Sequence, residues 1–322
     1  MSFSGGDLSD PFPVSDTRMT SAYVSDTLGF FDERVLVTAG ARLQNINVRS
    51  YSSVTGELAS EYDEQDVTPV FGLVYKPVDG LSLYANRIEA LVQGASAPAS
   101  GPDPDGGAPL PVSNAGDVLA PYVSDQIEIG AKLGHGRLNA GIAVFQIDRE
   151  TAFLQPDPTD PGALRFGPFG EQRNRGIELT AEAEPVDGLR MIGGVSFLDA
   201  TLRRTQGGLN QGNDAVGVPD LLVNANVEWD VPALPALTLT GRAVHTGEQA
   251  ANLANTTTLD SWTRFDLGAR YVTLVGRQPL TLRFNIDNVA NERYWASAFD
   301  SFRPDLLQGA PRTYKFSASI DF

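Results

Sequence analysis

Few side chains in this 322-residue chain have the type and spacing needed for covalent or metal chemistry. It contains no Cys, so neither a disulfide framework nor a thiolate metal site can form. His135 and His245 stand alone, with no partner at metal-ligand spacing. Asp103-Pro104-Asp105-Gly106-Gly107 imitates a calcium loop, but Pro between the acids and no following Glu leave it a turn. No Ser/His/Asp arrangement or phosphate loop can be assembled, so neither an enzyme nor a cofactor is expected. What remains is charge and aromaticity. In Ile177–Glu184, Glu178, Glu182 and Glu184 share one face of a period-2 pattern, opposite Ile177, Leu179, Ala181 and Ala183. That face suits a water-filled lumen better than a catalytic pair, with Arg42, Arg242, Arg264, Arg270 and Arg283 as candidate cations. Aromatics gather in two non-alternating stretches: Phe166 and Phe169, then Tyr294, Trp295, Phe299 and Phe302 beside Arg293, Arg303 and Arg312.

Strands must position these groups. Leu280–Asn288 alternates apolar and polar residues, with Arg283 on the polar side. Tyr314–Phe322 does the same, with Lys315 on the polar side and Tyr314, Phe316, Ala318, Ile320 and Phe322 on the other. Alternation places one face in an apolar medium and the other in a polar one, and about ten such residues cross a bilayer at a tilt. Similar patterns recur from Thr17 onward, giving about thirteen strands. Pro77-Val78-Asp79-Gly80 and Pro185-Val186-Asp187-Gly188 are near-identical hairpin turns. Gly94–Pro121, Gln155–Arg175, Arg203–Pro219 and Thr246–Ser261 read as long loops, and Ser52–Asp66 as a polar stretch. Short connections thus alternate with long ones, the rhythm of a membrane barrel with tight turns on one side and extended loops on the other.

Composition fits. No apolar run is long enough for a membrane helix. A net charge of −16 argues against nucleic acid. A soluble half-buried sheet would also alternate, but it gives no reason for every second loop to be long. The expected fold is therefore all-β, an antiparallel transmembrane β-barrel spanning residues 17–322. Bacterial barrels use an even strand number and keep both ends periplasmic, so thirteen strands would leave residues 1–16 outside as a loop remnant. The start also lacks a basic region followed by an apolar core, so no signal peptide is read there. The chain is accordingly expected to be the C-terminal portion of a 22-stranded, plugged barrel, with the plug domain absent.

Several motifs carry a resemblance to a family. Asn288-Val289-Ala290-Asn291-Glu292-Arg293-Tyr294 resembles an "N-(L/V)-x-(N/D)-x-x-Y" segment, and Gly309-Ala310-Pro311-Arg312 a "G-x-P-R" lead-in. Ser82–Gly94 is similar to "S-x-Y-x-N-Y-I-E-G-L-x-x-G", and Leu119–Lys132 to "L-x-P-Y-x-S-x-Q-x-E-x-G-x-K". Phe145-Gln146-Ile147, Arg175-Gly176-Ile177-Glu178-Leu179 and Val218-Pro219 match further positions. Together these resemble the TonB-dependent siderophore receptors, outer-membrane transporters of Gram-negative bacteria. The closing Phe322 is similar to the C-terminal signature of outer-membrane barrels, which implies the barrel-assembly machinery as a partner.

The resemblance implies a ferric siderophore as ligand, the TonB complex as energy source and outer-membrane lipid as surroundings. A siderophore brings its iron already coordinated, so its receptor needs aromatic walls and hydrogen-bond donors rather than metal ligands. Phe299, Phe302, Trp295, Phe166 and Phe169 are the implied ligand contacts; Phe299 falls where the ferrichrome-type branch places an aromatic after "N-E-R-Y-x-A-S". That branch's loop Cys pair is absent here. Tyr294 and Trp295 also read as interface-girdle aromatics. Glu178, Glu182, Arg283 and Lys315 are expected to line the lumen. Alternative readings are a passive or vestigial pore and a soluble β-sheet binding module.

Overall fold

A computed structural model describes residues 12–104, 106–300 and 304–320. Thirteen strands form one sheet in which every strand neighbours the one before and after it in sequence. They are β1 Ser15–Phe30, β2 Val35–Tyr51, β3 Leu58–Val78, β4 Leu81–Val92, β5 Tyr122–His135, β6 Leu138–Asp157 and β7 Asp160–Val186. Then follow β8 Leu189–Arg204, β9 Leu221–Asp230, β10 Leu237–Thr246, β11 Trp262–Val275, β12 Gln278–Asp287 and β13 Thr313–Ile320. All twelve pairings are antiparallel, and among the described residues none joins β1 to β13. The strand number and the up-and-down order are as expected.

The tight end is built by residues that tolerate left-handed backbone. Gly80 (φ +81°) and Gly188 (φ +78°) close the two copied turns. A Cβ on Gly80 would also lie 2.3 Å from the Gly134 carbonyl oxygen of the next turn, so the position needs glycine twice over. At the other end one expected loop and the polar stretch prove to be mostly strand. β6 and β7 run through Gln155–Arg175 and turn only at residues 158–159, while β3 begins at Leu58 inside the polar stretch. Those residues lack a regular apolar alternation because the hairpins have left the bilayer: apolar side chains are needed only where another segment packs on them, as at Leu154, Leu164 and Tyr62, and water meets the rest. Ladder hydrogen bonds keep the strands extended without a lipid-facing stripe, and periodicity cannot detect that. The long loops carry small elements of their own: short hairpins pairing Ser100–Gly101 with Leu110–Pro111, Gln249–Ala250 with Thr258–Leu259, and Trp295–Asp300 with Pro304–Gln308.

Packing is inverted relative to a soluble sheet. Ile129 is 61% exposed, Leu267 54% and Phe316 71%, although all are mid-strand aliphatic or aromatic residues. The buried clusters lie instead toward the long-loop end. Ile46, Tyr62 and Leu91 form one, Ala97, Val112, Leu154 and Leu164 another, and Ala251, Leu259 and Ala298 a third. An apolar band of this size would not persist in water; hydrocarbon is the solvent that accommodates it. Above the band the same outward face turns charged: Arg87 pairs with Asp125 at 3.0 Å and Arg173 with Asp148 at 2.6 Å. That change marks the upper edge of the lipid.

Candidate functional site: the lumenal wall and its outer rim

Register decides which side chains share the polar face. Glu182 stands opposite Ile192, Ile192 opposite Asn226, Asn226 opposite Arg242, and Arg242 opposite Asp266. Four residues along β11 from Asp266 is Arg270, opposite Arg283. Asn285, two residues on, faces Lys315. With a side-chain period of two, Glu178, Glu182, Arg283 and Lys315 therefore share one face of the sheet. Glu178, Glu182, Thr180, Tyr84, Glu128 and Lys132 also line one cavity of about 1310 Å³ spanning β3 to β9 near the tight turns. So many strands round one space make this the concave face of the sheet.

Glycines keep that wall thin. A Cβ on Gly130 would meet the Tyr84 ring at 2.5 Å, and one on Gly176 the Phe145 ring at 2.5 Å. In both cases aromatic and glycine are cross-strand partners, so the ring covers backbone that has no side chain of its own. The Tyr84 hydroxyl donates to Glu128 Oε1 at 2.7 Å, and Lys132 Nζ lies 5.1 Å from the same ring centre.

Outside the lipid the aromatic residues separate into two groups. Phe166 packs partly buried against Ala97, Val112, Leu154 and Leu164, its backbone amide donating to Asn114 Oδ1 at 3.0 Å. Phe169 sits edge-on to Phe153 at 5.8 Å between ring centres. Both also line a cavity of about 370 Å³ with Asn114 and Val118–Ala120. Trp295 and Phe299 lie on a different hairpin, half exposed, while its Ala298 docks on Ala251 and Leu259. Phe302 and Phe322 lie outside the described residues.

The first group is held by a buried acid. Asp157, at the outer hairpin tip, accepts from Ser113 Oγ at 2.5 Å, Thr159 Oγ1 at 2.7 Å and Thr159 N at 2.8 Å. These donors favour the carboxylate and lower its pKa from 3.8 to about 2. A depressed acid stabilises the fold fully above its ordinary pKa and loses that contribution as pH falls through the folded value. The two-loop cluster should hence stay closed at about pH 5 and open only between about 4 and 2. Hydrogen exchange of the 157–166 amides, corrected for intrinsic rate, checks this; opening already near neutral pH would contradict it.

Tyr294 corrects an expectation. It is not a girdle aromatic: its ring stacks on Trp262 at 4.1 Å, and its hydroxyl accepts from Arg264 Nη1 at 3.3 Å, on the lumenal face. Gly309 leaves room for that ring, since a Cβ there would lie 2.3 Å from it. The rest of the motif explains itself in the same place. Asn288, 1% exposed with φ +53°, donates through Nδ2 to the carbonyls of Glu292 (2.9 Å) and Ala310 (3.0 Å) and accepts from Glu292 N at 2.8 Å. Its own amide donates to Asp266 Oδ1 at 2.7 Å. Asn291, φ +56°, accepts from Arg312 N at 3.1 Å. The N-x-x-N-x-x-Y spacing is thus a knot that ties both ends of the last loop to the wall. Trp262, Arg264 and Asp266 complete the knot; strand alternation marked their face but not their partners.

Comparison with known proteins bears on this architecture. Residues 2–289 match a family model described as TonB dependent receptor-like, beta-barrel. The chain is 42% identical over 318 residues to the ferrichrome receptor FcuA of Yersinia enterocolitica, covering 99% of this chain and 40% of that protein. It is 26% identical over 321 residues to the ferrichrome outer membrane transporter/phage receptor of Escherichia coli, covering 98% and 40%. The solved structure of BauA, the ferric preacinetobactin receptor from Acinetobacter baumannii, superposes with a TM-score of 0.80 at 35% identity, covering 96% of this chain and 43% of that one. The chain spans about 40% of the length of these curated relatives.

Proposed function

Since this chain belongs to the TonB-dependent receptor family through its β-barrel, we propose that it forms a barrel segment of an outer-membrane receptor that imports ferric siderophores with energy delivered through TonB. One observation carries the reading: the sheet is two-sided, with aliphatic residues outward and a charged wall inward, and its long loops lie together beyond the lipid. Relatives whose names record ferrichrome and ferric preacinetobactin support the ligand class. Known members of the family named here are receptors and transporters, which supports a transport role over an enzymatic one.

Phe299 is the first proposed contact with the chelate, supported by its half exposure on a hairpin anchored through Ala298. Trp295 on the same hairpin is a second contact, and Phe166 and Phe169 form a second, more buried wall. Truncating a desolvated aromatic contact typically costs more than 1 kcal/mol. Phe299→Ala in the natural protein should therefore weaken ferrichrome binding by about tenfold with unchanged abundance in the membrane. Uptake of radioiron from ferrichrome should vanish in cells lacking TonB. A steady ion conductance in planar bilayers with no chelate binding would favour the passive pore instead.

A further inference from the structure

We infer that the lumenal face of β10 to β13 is a cationic strip along which a chelate of net negative charge descends. The inference rests on the receptor reading above and extends its cargo to anionic chelates. Among the described residues the face carries Arg242, Arg264, Arg270, Arg283 and Lys315 against only Asp266 and Asp287, in a chain whose net charge is −16. Both carboxylates are already engaged. Asp266 pairs with Arg264 at 3.1 Å and accepts the Asn288 amide, while Asp287 pairs with Lys315. Three guanidinium groups are left. Arg242 donates to Asn224 Oδ1 at 3.3 Å. Arg270 donates to Thr238 Oγ1 at 3.2 Å and lies 3.8 Å from Glu228, whose carboxylate also takes Arg190 at 3.2 Å. Among the described residues Arg283 has neither a hydrogen bond nor an ion pair, and the register sets it directly opposite Arg270. Like charges facing each other across a strand pair are destabilising, a cost that an anion between them would relieve.

Position makes these groups a path rather than a point. Arg242 is level with Asp266, two residues below Arg264, and the Arg270/Arg283 pair lies four residues lower. At about 3.3 Å per residue along strands tilted by about 40°, the steps fall roughly 5 Å and 15 Å below Arg264, more than half the depth of the apolar band. Elsewhere on the same face β5 to β7 carry the opposite sign, with Glu128, Glu178 and Glu182 against Lys132 in one cavity. An anion in this lumen is repelled from β5–β7 and drawn to β10–β13, and low-dielectric walls concentrate that field.

The test uses Arg242→Gln, Arg270→Gln and Arg283→Gln combined, with the matching triple Lys variant. In cells, radioiron uptake is compared for neutral ferrichrome and anionic ferric citrate. The expected result is at least a fivefold loss of rate for ferric citrate at unchanged surface affinity, less than a twofold change for ferrichrome, and recovery with Lys. A readout independent of uptake is titration of the natural protein in micelles with pyrophosphate, followed by arginine side-chain NMR; the Gln variant should bind at least tenfold more weakly. Equal pyrophosphate affinity in wild type and Gln variant, equal loss for both chelates, or failure of Lys to rescue overturns the inference. Raised vancomycin sensitivity with uptake intact also overturns it, by giving the strip to a protein domain seated in the lumen. Pyrophosphate binding lost in the Gln variant, with no chelate imported by the wild type, counts against the receptor reading and not against the strip as an anion site.

Discussion

Arg in place of Ile129 is expected to destabilise the folded barrel by about 2–4 kcal/mol, while Lys in place of Thr180 changes it by less than about 1 kcal/mol. Ile129 lies mid-strand between Ala85 and Val144 and is 61% exposed on the outward face. A guanidinium there must snorkel or drag water into hydrocarbon. Thr180 lies on the inward face, between Glu178 and Glu182 and in the same cavity. An ammonium there stays hydrated and gains two carboxylate neighbours. Urea unfolding in lipid bilayers measures both, and heat-shifted gel mobility gives a quick parallel reading. Equal costs at the two sites, or a larger one at Thr180, would mean that the sheet has no wet side, and the transport reading would fall with it.

The second large effect belongs to Asn288. Its replacement by Ala should cost about 3–5 kcal/mol, because three partners lose their bonds at once and each buried orphan costs about 1–3 kcal/mol. The Glu292 carbonyl, the Ala310 carbonyl and the Glu292 amide are those partners. Ala would also have to hold φ +53°, which Asn tolerates better. The damage should be local: the last loop detaches while the sheet persists. Trypsin would then cut at Arg293 and Arg312 in intact membranes, where the wild type resists. Chelate binding should fall with it, since the hairpin carrying Phe299 hangs from this knot. A variant that keeps wild-type protease resistance would show that the Trp262–Tyr294 stack, not Asn288, holds the loop.

Family, fold class and strand number were legible in the sequence because they depend on local pattern. The two-residue alternation of Leu280–Asn288 and Tyr314–Phe322, the repeated P-V-D-G turns and the N-x-x-N-x-x-Y segment each act within a few residues, and the chain belongs to the outer-membrane family they resemble. Period two alone puts Glu178 and Glu182 on one face of their strand. Tertiary structure decided what register and loop packing control. Nothing in the order of residues says that Arg283 faces Arg270, that Tyr294 turns inward onto Trp262, or that Phe166 sits on a core made by a loop fifty residues earlier. Those contacts join strands and loops distant in sequence, and hairpin stretches beyond the bilayer, packed only where another segment reaches them, carry no periodic mark. For such residues the partner across the ladder sets the chemistry, and only the folded sheet names that partner.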